Sequence, residues 1–246
     1  MAGHTPIPES LSTATVQAGY KRWFDLSVLL IAHLALFPVW ILLWTVIPLM
    51  IWLEDRRSVF YRQQRMGKDG VPFNVIKFRT MVVDAESQGP AWTTEDDPRI
   101  TRVGRILRRT ALDELPELIS ILSGQMSFVG PRALGVDEQN FFEDLIPGFD
   151  QRLKVRPGLT GLAQIYDKND NPHEKYRYDM EYLRELSPFL DARLLLLSVR
   201  NTLVGRWDHR SGKINLAEHK SRKSDSHFEM ADRTEPTIPD PENSHP

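Results

Sequence analysis

The polarity of this chain changes abruptly at residue 26. From Leu26 to Leu53, "LSVLLIAHLALFPVWILLWTVIPLMIWL", there is no Asp, Glu, Lys or Arg, a run longer than the roughly 20 residues that span a bilayer. That length argues against a soluble core helix. The absence of a small-residue cleavage pattern after it argues against a secretory signal. The segment is therefore expected in a membrane. Lys21 and Arg22 precede it, and Arg56, Arg57, Arg62 and Arg65 follow it, so both flanks favour the cytoplasmic side. A hairpin broken at Pro38 satisfies both, because proline lacks an N–H and clashes with the preceding turn. A straight, kinked span is the other reading, and the residues alone leave the two open. His33 and Thr45 are placed to hydrogen-bond backbone groups freed near the break, which lipid would leave unsatisfied. Trp40, Trp44 and Trp52 suit a membrane interface.

Outside this run the pattern is that of a small domain. Residues 1–18 are polar and aperiodic, the composition of a flexible lead-in. "SVFYRQQRMGKDGVPFNVIKFRTM" (58–81) alternates short apolar runs around Gly-Lys-Asp-Gly and predicts a β-hairpin. A helix is expected to begin near Asp96-Asp97-Pro98, with Arg99, Arg102, Arg105 and Arg108 on one face and Ile100, Val103, Ile106 and Leu107 on the other. Such a stripe is usually a solvated face; behind a membrane segment it also suits anionic headgroups or a nucleotide diphosphate. A further helix runs to Gly124, with Leu115, Leu118, Ile119 and Leu122 together on its apolar side. "HEKYRYDMEYLRELSPFLDARLLLLSVRNTLVG" predicts two helices parted at Ser187-Pro188, with Leu194 to Leu197 in the core. From residue 208 the chain is polar and Pro-containing, as disordered tails are. The expected organisation is a flexible N-terminus (1–18), a re-entrant membrane helix-hairpin (19–57), a cytoplasmic domain (58–207) and a tail (208–246). The expected fold class is α+β, mostly helical, with amphipathic surface helices and one short β-hairpin.

Composition narrows the chemistry. The formal net charge is −2, so anion affinity must come from local basic clusters rather than from the whole surface. No aromatic residues interleave the arginine stripe as stacking platforms, and nucleic acid is not an expected partner. The chain has no cysteine, which excludes disulfides, thiolate metal sites and cysteine nucleophiles.

In "LRRTALDELPELISIL" (107–122), Arg108 and Arg109 stand just before the adjacent carboxylates Asp113 and Glu114. Asp113 is a suitable N-cap, and Pro116 is tolerated in a first helical turn, so a helix start accounts for the stretch taken alone. Capping does not account for the guanidiniums, which beside exposed N–H groups form a phosphate site. A carboxylate held against a bound phosphate has work to do, as a nucleophile on phosphorus or as a ligand to a bridging divalent metal. Mg²⁺ is the natural metal, since it takes carboxylate and phosphate oxygens and needs few protein ligands.

Taken together, "KRWFDL", the apolar run with its central proline, "SVFYRQQRMGKDGVPFNVIKFRTM", "DPRITRVGRILRRTALDELPELISILSGQMSFVGPRAL" and "VRPGLTGLAQI" resemble the bacterial sugar transferase family, the monotopic polyprenyl-phosphate phosphoglycosyl transferases, over residues 20–205. The resemblance is to the minimal catalytic form, without the extra N-terminal transmembrane region of larger relatives. It implies that Asp113 attacks the β-phosphate of a UDP-sugar, that UMP leaves, and that polyprenyl (undecaprenyl) phosphate then takes the phosphosugar from the aspartate. It implies further that Glu114 completes a dyad with Asp113 through Mg²⁺, and that Lys77, Arg108, Arg132 and Arg156 hold phosphates. The implied location is the cytoplasmic face of the bacterial inner membrane, in contact with membrane lipid, with the helix broken at Pro38. Two positions depart from the family pattern: Phe37 stands where a serine is usual, and Arg57-Ser58 where Gly-Pro is usual.

Two other readings remain: a glycosyltransferase that releases UDP, and a membrane-anchored scaffold that binds nucleotide sugars. Released nucleotide separates the first from phosphosugar transfer, and indifference to Asp113→Ala would mark the second. Oligomeric state stays open, with a homodimer through the helical surfaces as one option.

Overall fold

The computed structural model describes residues 18–85, 87–88, 97–167 and 171–203. The expected tail from residue 208 and nearly all of the expected N-terminal lead-in lie outside them. The apolar run forms two helices, α1 (Lys21–Ala35) and α2 (Phe37–Asp55), parted at Leu36, whose φ of −113° and ψ of 22° leave the helical region. Pro38 falls in the first turn of α2. There its missing N–H would have had no helical partner in any case. The break is spanned by Trp40, whose indole Nε1 donates to Ala32 O at 3.0 Å while its ring stacks on His33 with centroids 4.6 Å apart. His33 and Thr45 each bond a carbonyl one turn back on their own helix, Leu29 O and Ile41 O, both at 2.7 Å. Both thus bond backbone carbonyls, but within their own helices, and the contact across the break is made by Trp40. Among the described residues α2 is the one helix long and apolar enough to cross a membrane. Only Ile47 and Ile51 of α2 are buried, in a cluster with Phe78 and Leu107.

Both ends of this broken helix dock on the domain that follows. At the start of α1, Lys21 is 2% exposed and its Nζ donates to Val129 O (2.7 Å), Tyr182 Oη (2.7 Å) and Asp191 Oδ2 (2.8 Å). Asp25, one turn on, accepts from Ser127 Oγ and Phe128 N. At the end of α2, Glu54 accepts from Arg102 N at 2.7 Å, and Asp55 takes both terminal nitrogens of Arg79.

The predicted hairpin is present: β1 (Phe60–Met66) pairs antiparallel with β2 (Pro72–Phe78), from Phe60 opposite Phe78 to Met66 opposite Pro72. Its turn uses positive φ at Asp69 and Gly70, which glycine adopts at no steric cost. The basic helix α3 (Arg102–Thr110) starts later than its arginine periodicity suggests. Asp97 binds Arg99 through both backbone N–H and guanidinium, which fixes a turn, and Thr101 caps the helix by accepting from Gly104 N. Arg99 therefore lies off the stripe.

The next segment also differs from its apolar pattern. A 3₁₀ turn (Leu112–Glu117) leads into the short α4 (Leu118–Leu122), and Ile119 and Leu122 are 49% and 55% exposed while Glu117, Ser120 and Ile121 are buried. The tighter 3₁₀ winding changes which residues share a face. Gly124, at φ 83°, ends the segment as expected. A pair not foreseen follows: β3 (Ser127–Val129) lies parallel to β4 (Gly158–Thr160), with α5 (Val136–Leu145) and a 3₁₀ turn (Phe149–Lys154) in the crossover. Three-residue strands carry too little alternation to read. Gly158 permits the close approach, since a Cβ there would strike the backbone of Gly130. After α6 (Leu162–Tyr166) come α7 (Pro172–Glu185) and α8 (Pro188–Leu203), parted at Ser187 as predicted. Leu194 is in the core, but Leu196 is 71% exposed.

Candidate active site

Strand alternation puts Lys77 on the same face of β2 as the buried Phe73 and Val75. An inward lysine must be paired, and two carboxylates of the 3₁₀ turn meet it. Glu114 Oε1 lies 2.7 Å and Glu117 Oε1 3.1 Å from Lys77 Nζ. Residues three apart eclipse in a 3₁₀ helix, which is why one ammonium reaches both. Arg132, in the loop after β3, adds its Nη2 to the same Glu114 oxygen at 3.1 Å.

Asp113 is not the N-cap that its sequence suggests. Ala111, with a left-handed φ of 53°, occupies that position and makes no side-chain cap. Asp113 and Glu114 both sit in the first turn, where the partial positive charge of the peptide dipoles favours anions. The Asp113 carboxylate makes no hydrogen bond or ion pair among the described residues. Burial, and next the charge of Glu114, push its carboxyl up to about 6, against the pull of Lys77 and Arg108. Burial acts on Glu114 in the same sense, but Lys77 and Arg132 outweigh it and hold that carboxyl well below the ordinary range. Glu117 is raised by burial.

Arg108 reaches the site from the last turn of α3, where its Nε donates to Thr80 Oγ1 at 2.9 Å and its charge acts on Asp113. Gly104 lets α3 press onto the Thr80 backbone, where a Cβ would clash. Arg156 is placed differently. The β3–β4 pairing sets its loop beside that of Arg132, through Gly158 N to Pro131 O at 2.8 Å. Its side chain, half-buried, makes no hydrogen bond or ion pair with the carboxylates, and its charge is felt at Lys21. The structure thus gathers Lys77, Arg108, Asp113, Glu114 and Arg132, and leaves Arg156 aside. Glu117 escaped the sequence reading, although its spacing from Glu114 was the available signal.

The donor set fits a hard divalent cation. Asp113 is open, and both cations on Glu114 use the same oxygen, Oε1. Among the described residues no three His, Asp or Glu side chains form a complete metal cage. A metal here would complete its shell with phosphate oxygens and water, as Mg²⁺ does.

A long apolar helix is docked on a small α+β domain, with carboxylates gripped by lysine and arginine beside its base. The chain belongs to the bacterial sugar transferase family, whose model matches residues 16–205. It is 40% identical over 166 residues to the UDP-glucose:undecaprenyl-phosphate glucose-1-phosphate transferase of Escherichia coli K12, covering 65% of this chain and 36% of that protein. It is 38% identical over 194 residues to the exopolysaccharide production protein PSS of Rhizobium leguminosarum bv. phaseoli, covering 75% and 95% of the two chains. It is 32% identical over 200 residues to a UDP-N-acetylgalactosamine-undecaprenyl-phosphate N-acetylgalactosaminephosphotransferase of Aeromonas hydrophila, covering 80% and 46%. The chain thus spans less than half the length of the first and third of these relatives.

Proposed function

We propose that this protein transfers a sugar 1-phosphate from a UDP-sugar to undecaprenyl phosphate, releasing UMP, as the first membrane step of surface glycan assembly. The observation that carries this reading is the asymmetry of the dyad. Glu114 is neutralised by Lys77 and Arg132, while the neighbouring Asp113 carboxylate is unpaired and more basic than usual. A carboxylate poised in this way suits a nucleophile.

In the first step an Asp113 oxygen bonds to the β-phosphorus. The bond from that phosphorus to the bridging oxygen breaks, and the oxygen leaves with its electron pair on UMP. In the second step a phosphate oxygen of undecaprenyl phosphate bonds to the same phosphorus, the acyl-phosphate bond breaks, and the Asp113 carboxylate is restored. Arg108 and Arg132 orient the transferring phosphate and offset its developing charge. Arg156, on the adjoining loop, would meet a phosphate that extends past Arg132.

Three cations (Lys77, Arg108, Arg132) face three carboxylates (Asp113, Glu114, Glu117), so a diphosphate enters a nearly balanced site. Asp113 and Glu114 would hold Mg²⁺, which when bound supplies the missing positive charge.

The membrane arrangement in this reading is monotopic, on the cytoplasmic face. The docking of Lys21 at one end of the broken helix and of Glu54 and Asp55 at the other on one domain supports re-entry at the same surface. Relatives named for glucose and for N-acetylgalactosamine transfer set the substrate panel. Purified protein, undecaprenyl phosphate and Mg²⁺ are incubated with UDP-glucose, UDP-N-acetylgalactosamine and related donors, and the nucleotide is identified. UMP from wild type, and none from Asp113→Ala, is the expected result. UDP would point to an ordinary glycosyltransferase, and silence from folded wild type to a scaffold.

A further inference from the structure

The loop that carries Arg132 has its carbonyls held almost one by one. Lys21 Nζ donates to Val129 O at 2.7 Å, Gly158 N to Pro131 O at 2.8 Å, Arg152 Nη2 to Arg132 O at 2.7 Å, Arg65 Nη1 to Ala133 O at 2.5 Å and Met66 N to Leu134 O at 2.8 Å. Three of these donors are cationic side chains, and the one at residue 132 itself is Arg152.

Arg152 is 1% exposed, and its planar fork is fully engaged by three elements. Nε donates to Asp179 Oδ2 on α7 at 2.7 Å, Nη1 to Gln139 Oε1 on α5 at 2.9 Å, and Nη2 to the Arg132 carbonyl. Gln139 is fixed in turn by Glu143, and Lys175 adds a second positive charge near Asp179. A buried ion pair is a poor way to gain stability, because well-packed apolar residues often serve as well or better. An apolar pair cannot donate to a main-chain carbonyl, and a lysine cannot reach three acceptors in one plane. The distinctive consequence of this pair is the position of residue 132.

We propose that Arg152, braced by Asp179 and Gln139, is a positioning residue: by holding the carbonyl of Arg132 it sets the Arg132 guanidinium on Glu114. Its effect on turnover rests on the function proposed above, whereas its geometric content does not.

The test is a double-mutant cycle of Arg152→Lys and Arg132→Ala, read in UMP release and in melting temperature. Arg152→Lys in the wild-type background is expected to lower kcat about tenfold with KM for the UDP-sugar changed less than about threefold, and to cost less than about twofold further in the Arg132→Ala background. An equal loss in both backgrounds, or a wild-type rate for Arg152→Lys, overturns the inference. If Arg152→Lys does not fold, Asp179→Asn keeps an acceptor for Nε and is expected to show the same pattern more weakly; additivity there overturns it equally. Absence of UMP from the wild type on every donor would refute the functional reading alone. Melting temperatures then decide: a double mutant less destabilised than the sum of its singles supports the brace, and strict additivity contradicts it.

Discussion

Asp113 and Glu114 are neighbours in the chain whose carboxyls are displaced in opposite directions, the first up to about 6 and the second downward. Both are half-buried and loss of hydration raises both, so it does not separate them. Lys77 and Arg132 do, because both grip the same oxygen of Glu114 and leave Asp113 without a partner.

This asymmetry has a sign in stability. The folded Asp113 value of about 6 lies above the ordinary 3.8. The fold therefore binds this proton more tightly than the unfolded chain does, and the group's penalty grows as pH rises from 3.8 and is complete above 6. Asp113→Asn removes the charge and keeps the shape. It is expected to stabilise the protein at pH 7.5 by about 1–3 kcal/mol, while ending turnover. Melting curves across pH check this, and a destabilised Asn variant would contradict it.

The same shift predicts the pH–rate profile. The charges facing Asp113 are Glu114 and Glu117, which raise its carboxyl, and Lys77 and Arg108, which lower it. Below a pH of about 6, kcat/KM should fall tenfold per unit as the nucleophile is protonated. A flat acid limb down to about pH 4.5 would mean that Asp113 is not the group titrating.

Lys77 joins two carboxylates, so its loss leaves both under-compensated. Lys77→Met is expected to cost about 3 kcal/mol of stability, near the low end for breaking a buried pair, and to abolish turnover. Lys77→Arg should recover most of the stability. Urea unfolding and nucleotide release on the three proteins measure this.

The hairpin arrangement is testable because the chain has no cysteine of its own. Gly19→Cys and Arg57→Cys place single thiols at exposed positions flanking the two helices. An impermeant maleimide should label both in inside-out vesicles and neither in intact cells. Labelling from opposite sides would replace the hairpin with a span.

Much of the fold was legible because it rests on long patterns. The uncharged run, the β1–β2 alternation and the Ser187-Pro188 boundary each predict the element found. The break at Leu36 was readable from Pro38, but Trp40's donation to Ala32 O was not, since eight residues separate them. The 3₁₀ winding after Ala111 was hidden as well, because its cause is a left-handed alanine that no propensity signals, and it displaced the expected cap at Asp113 and the expected face of Ile119 and Leu122. At the site, residue type pointed to the adjacent Asp113 and Glu114, while Lys77 came from the family resemblance alone. The pairing of Glu114 with Arg132 depends on the parallel β3–β4 pair, whose strands are too short to read. Lys21 reads as a basic flank of the apolar run, and its further part as a buried tie to Asp191 was not legible.

The central claim is that Asp113 carries the phosphosugar between the two substrates. Protein incubated with the reactive UDP-sugar and Mg²⁺, without undecaprenyl phosphate, is quenched in acid, digested and analysed by mass spectrometry. The account predicts a sugar-phosphate adduct on the peptide containing Asp113, formed with stoichiometric UMP and discharged when undecaprenyl phosphate is added before the quench. An unmodified peptide, with UMP appearing only when both substrates are present, would contradict it and indicate direct transfer between the substrates.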